Sequence, residues 1–118
     1  MNTSFEFINT DYLNLMSDGD EDMKEMMVDM MLEEIPVEMN KMSQLQEAKD
    51  WKELREVSHK MKSTLAFIGN DAMTNANAQI EEIAKSASDL EELPRLLAIL
   101  MDIYPKALDE LKTLKAAV

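Results

Sequence analysis

A chain of 118 residues with no cysteine and one histidine has room for one hydrophobic core, and disulfides, thiolate metal sites, cysteine nucleophiles and two-histidine zinc sites are excluded. Twelve basic against twenty-four acidic residues leave a formal net charge of −12, which repels nucleic-acid phosphates and anionic membrane surfaces and makes another protein the expected partner. The opening MNTSFEFINTDY lacks the basic start and apolar run of a secretory signal, and no stretch approaches the ~20 apolar residues that span a bilayer. A soluble, cytoplasmic protein is expected, with residues 1–118 forming a single domain.

Two glycines and three prolines leave little punctuation, and Ala, Leu, Met, Glu and Lys set a helix-forming composition. A short first helix follows Asn9 or Thr10 as cap and carries Tyr12, Leu13, Leu15 and Met16; Ser17, Asp18, Gly19 and Asp20 form the turn and the next cap. A long helix is predicted from Glu21 to Lys49. Met23, Met26, Met27, Met30, Met31, Ile35, Met39, Met42 and Leu45 form its apolar stripe, and Pro36 should kink it.

Asp50, with Glu53 three residues on, has capping-box spacing for a third helix that buries Leu54, Val57, Met61, Leu65 and Ile68. Gly69 and Asn70 stop it, and Asp71 starts a fourth helix through Ile80, Ile83 and Ala87. A fifth begins near Pro94 and carries Leu97, Leu100, Met101, Tyr104, Leu108, Leu111 and Leu114, with a kink at Pro105. Four long amphipathic segments with short joints predict an all-α, up-down-up-down antiparallel four-helix bundle with a short extra N-terminal helix.

At ~100° per residue, His59 sits roughly 140° or more from Leu54, Val57 and Met61, so it points outward. Lys52, Arg55, Glu56, Lys62, Ser63 and Ala66 share that face. Between Lys52 and Lys62 four basic residues, Lys60 among them, stand against two acidic ones, a local excess of two positive charges in an acidic protein. Lys62 lies one helical turn after His59, and Ser63 and Ala66 keep the surface beside the imidazole low. That combination suits phosphoryl transfer, because a neutral imidazole is a nucleophile at neutral pH and a nearby ammonium can meet the phosphate charge. No Gly-rich nucleotide loop accompanies it, so independent ATP hydrolysis is not expected.

The segment Val57-Ser58-His59-Lys60-Met61-Lys62-Ser63-Thr64-Leu65-Ala66-Phe67-Ile68-Gly69 resembles the histidine-containing phosphotransfer (HPt) domain family. His59, Lys62 and Gly69 fall on the family's histidine, its lysine three residues on and its glycine ten residues on. Ser63 stands where the family usually has glycine, and Thr64 where it has a small residue. Tyr12-Leu13, the Asp18-Gly19-Asp20 turn, Met31 to Pro36 and Asp50-Trp51 extend the likeness over most of the chain.

The resemblance implies a phosphocarrier in a bacterial-type two-component phosphorelay, without catalytic activity of its own. Phosphate would pass between His59 and an aspartate of a response-regulator receiver domain or a hybrid sensor kinase, with Lys62 stabilising it. Lys52, Arg55, Glu56, Lys60, Ser63 and Ala66 would form the docking face, and Gly69 would end the helix. Mg²⁺ is expected on the receiver, with no cofactor on this chain, and a monomer is expected. The alternative, from another class, is a phosphate-independent helical adaptor that binds a partner protein. Asp18, Asp20 and Asp22 lack the glycine and glutamate of a calcium loop, and the methionines read as core rather than Cu(I) ligands.

Overall fold

The computed structural model describes residues 5–116, and every regular element among them is helical. α1 spans Asp11–Ser17, α2 Glu21–Glu47, α3 Trp51–Ile68, α4 Asp71–Ser86 and α5 Leu93–Ala116, with a 3-10 turn, Leu90–Glu92, leading into α5.

Short polar side chains set the starts. Asp20 Oδ1 accepts from the Met23 N–H at 3.0 Å, Asp50 Oδ1 from Glu53 N–H at 3.2 Å and Asn70 Oδ1 from Met73 N–H at 3.0 Å. Thr10 is the formal cap of α1, but the cap-like bond comes from Asn9, whose side chain accepts from Asp11 N–H. Only half of the expected capping box forms at α3, because the Asp50 N–H donates to Leu45 O at 3.0 Å instead of to Glu53. Asn70 does more than stop α3; it caps α4. Two predicted ends move inward: α2 stops at Glu47, with Lys49 at φ 58°, and α4 at Ser86, with Ala87 left-handed at φ 54°. α2 continues through Pro36 and α5 through Pro105, each remaining one helix.

α3 packs against α2 and α4, and α5 closes the ring against the same two helices, while α1 contacts α2 and α3. Along the α2–α3 seam, Thr64 donates to Glu34 and Lys60 pairs with Glu38, so partners run in opposite order on the two helices. The core takes Leu54, Val57, Met61, Leu65 and Ile68 from α3, Met73, Ala76, Ile80 and Ala84 from α4, and Leu97, Leu100, Leu108 and Leu111 from α5. At one end the Glu110 carboxylate accepts from the backbone N–H groups of Glu6, Phe7 and Ile8, and Asn70 donates to Phe7 O. This strap ties the N-terminal segment across α5 and the α3–α4 joint.

The predicted α2 stripe needs correction. Val28, Met31, Ile35, Met39 and Met42 are buried, but Met23, Met26 and Met30 are exposed on the outer face. Methionines occur around most of the helix, so their spacing fits more than one face, and packing against α3 and α5 selects one. On α1, Leu13 is buried whereas Tyr12, Leu15 and Met16 are exposed; Tyr12 stacks on Phe67 with ring centroids 5.1 Å apart.

Candidate functional site

With its apolar stripe sealed against the core, α3 turns the opposite face to solvent, and the His59 side chain is 66% exposed there. His59 Nδ1 lies 2.6 Å from Oε2 of Glu81 on α4, and Lys62 Nζ lies 3.0 Å from the other oxygen of the same carboxylate. An ionised carboxylate only accepts hydrogen bonds, so Nδ1 must carry the proton and donate it. In the neutral ring the lone pair is then on Nε2.

Glu81 stays ionised for a local reason. The Lys62 ammonium bonded to it, and His59 after it, hold its carboxyl below the usual carboxylate range, against partial burial that pushes the other way. Lys62 therefore acts on the imidazole through Glu81.

The register that brings Glu81 to His59 is locked one residue earlier. Ser58 is fully buried, and its hydroxyl lies 2.9 Å from Asn77 O and 2.8 Å from Asn77 Oδ1, while Asn77 Nδ2 donates to Ser58 O at 2.9 Å. Glu81 follows Asn77 by four residues, one turn further along α4. A slip of that pairing would leave buried polar groups unsatisfied, which typically costs about 1–3 kcal/mol each.

The expected docking-face residues are placed in two groups. Lys52, Arg55, Glu56 and Ser63 are exposed and Ala66 is half-buried, on the side of α3 that carries His59 and Lys62. Thr74 and Ala78 of α4 extend the low surface beside Lys62. Lys60 is turned away: its ammonium pairs with Glu38 on α2 at 3.1 Å. The local positive excess read from α3 does not survive folding, because Glu38 and Glu81 from neighbouring helices cancel it. Gly69 caps α3 in the left-handed conformation, φ 73°, with its N–H donating to Leu65 O. A Cβ there would come 2.5 Å from Asn9 O, so both backbone angle and space require glycine.

Glu81 is the residue that the sequence alone leaves unmarked. A signal exists: His59 lies ten residues before Gly69 and Glu81 eleven after Asn70, similar heights on an antiparallel helix pair. Among the described residues, no group of three or more His, Asp or Glu is placed to hold a metal ion. No helix among them is long and apolar enough to cross a membrane.

Fold and site together define a helical domain that presents one exposed imidazole, oriented by a carboxylate and a lysine. The family model for the Hpt domain matches residues 26–117, from within α2 almost to the C-terminus, and the chain belongs to that family. Hpt domains take part in histidine phosphotransfer within phosphorelays, as phosphocarriers rather than catalysts. No curated protein and no solved structure shows a significant match.

Proposed function

We propose that His59 is the phosphoryl acceptor and that the group rides on Nε2. The observation that carries this reading is the 2.6 Å bond from Nδ1 to Glu81, which leaves the lone pair on Nε2 of a side chain that is 66% exposed. In the forward step the Nε2 lone pair attacks the phosphorus of an aspartyl phosphate on a receiver domain. The N–P bond forms, the acyl P–O bond breaks, and the aspartate leaves as a carboxylate. The ring becomes cationic while keeping its Nδ1 proton, and Glu81 stabilises that charge. Lys62, one helical turn from His59 and bonded to the same carboxylate, would turn from Glu81 toward the phosphoryl oxygens. The same groups serve the reverse step, so flow can run to or from a receiver or a hybrid sensor kinase. Mg²⁺ belongs to the receiver in this scheme, and the chain works as a cytoplasmic monomer.

The closed ring of helices and the opposed order of pairs along α2 and α3 support an up-down-up-down bundle as the scaffold. Its role is to hold His59 on a rigid helix where a second protein can reach it. Incubation with a phosphorylated receiver should yield one acid-labile, base-stable phosphate per chain, lost in His59→Gln with helical circular dichroism unchanged. Normal phosphate acceptance by His59→Gln would exclude the proposal.

A further inference from the structure

α2 carries a second apolar stripe that the bundle does not use. Met23, Met26, Met30 and Val37 are 45%, 71%, 40% and 62% exposed, and their spacings of three, four and seven are helical. At ~100° per residue they fall within an arc of about 60°, roughly opposite the core-facing Val28, Met31, Ile35, Met39 and Met42. A stripe this regular differs from scattered surface apolar residues, which are ordinary.

Carboxylates border it on both sides. Asp29 and Glu33 lie along one margin and Glu34 and Glu38 along the other, and α2 as a whole holds eight acidic residues against two lysines. Asp29 is engaged by Lys115 from α5 at 2.6 Å. The stripe from Met26 to Val37 and both of its margins line an open groove of about 590 Å³ that reaches Lys60 of α3. At its inner edge Glu38 is only 7% exposed; one carboxylate oxygen accepts from Lys60, and the other is buried with no donor among the described residues. That carboxylate has accepting capacity left over.

We propose that this outer face of α2 docks a basic amphipathic helix of a partner protein. The methionines and Val37 would cover its apolar side, and the bordering carboxylates would meet its lysines and arginines. Methionine suits this task because its unbranched, polarisable side chain repacks around helices of differing shape. Charge selects this occupant over the others. A second copy of the chain would set acidic margin against acidic margin in a protein of net charge −12, and an anionic membrane would be repelled. The groove ends at Lys60, which turns toward α2, whereas His59 and Lys62 turn toward α4. A helix seated there leaves Nε2 of His59 open, and the inference does not depend on His59 carrying phosphate.

Fluorescence anisotropy can test it with a labelled synthetic amphipathic helix of leucine and lysine, titrated with the full chain. A scrambled peptide of the same composition, lacking an apolar face, serves as the comparison. The amphipathic peptide should bind at least about tenfold more tightly than the scrambled one. The double variant Met26→Gln, Val37→Gln, which changes no charge and touches no buried residue, should lose at least about tenfold of that affinity. Glu33→Gln with Glu34→Gln should weaken binding and flatten its salt dependence. His59→Gln should bind as the parent does. Equal binding of both peptides, or an unchanged affinity in the Met26, Val37 variant, would reduce the effect to general attraction by an acidic protein and overturn the proposal. Sedimentation showing a dimer of the chain alone that the same double variant dissolves would assign the face to a second copy and overturn it too.

Discussion

Replacing Glu81 by alanine separates the orienting role proposed for α4 from the nucleophile proposed on α3. The substitution removes the 2.6 Å bond to His59 and the 3.0 Å bond to Lys62 while leaving both side chains in place. A charge-assisted hydrogen bond contributes about 1.5–3 kcal/mol when shielded. His59 and Lys62 are 66% and 57% exposed, so solvent screening reduces this to about 1–1.5 kcal/mol. If that interaction is made chiefly as the ring becomes cationic, Glu81→Ala should slow phosphorylation about five- to tenfold. The rate should be followed with a phosphorylated receiver and, separately, with phosphoramidate, which needs no docking surface. Nitrogen-15 spectra of the imidazole should show the Nδ1–H tautomer in the parent and a mixture in the variant. Glu81→Gln, whose amide oxygen can still accept from Nδ1, should fall between the two. The carboxyl's lowered pKa fixes the pH sense. Its stabilising contribution is complete above the ordinary carboxylate pKa and disappears as pH falls through the lowered folded-state value. Parent-rate labelling of Glu81→Ala by both donors, with the tautomer unchanged, would refute the orienting role.

Lys62→Ala should slow transfer by roughly fivefold, equivalent to about 1 kcal/mol, and should let Glu81 titrate closer to its ordinary value. A lowered melting temperature with an unchanged rate would make Lys62 a structural residue. Ala66→Arg places a long side chain on the half-buried floor beside the His59 face, so transfer from a receiver should drop while phosphoramidate labelling persists. Equal loss with both donors would show damage to His59 itself rather than to docking. Gly69→Ala must adopt φ near 73° and push against Asn9 O, which should cost about 2 kcal/mol and lower the melting temperature by roughly 8 °C. A thermal melt within 1–2 °C of the parent would contradict that strain argument.

Local signals were legible wherever neighbours in sequence are neighbours in space. The caps at Asp20 and Asp50 and the stop at Gly69 depend on bonds within a few residues, and the sequence marks each of them. The α3 stripe from Leu54 to Ile68 is also plain, because apolar residues cluster on one side of that helix and charges on the other. α2 failed the same reading. Its methionines spread over more than half of the helix circumference, so periodicity could not say that Met31 is core while Met30 is not.

The sequence by itself determined that this is a helical chain, where its helices start and stop within a few residues, and that its single imidazole leaves the core. Those properties follow from backbone capping and the 3.6-residue repeat, both local. Only the tertiary structure decided that Glu81 holds His59 by Nδ1, that Lys60 and Lys62 serve different helices, and that the positive patch on α3 is neutralised. These facts depend on the height and rotation of α2 and α4 against α3. Core packing and the buried Ser58–Asn77 pair set that register, and no interval along one helix encodes it.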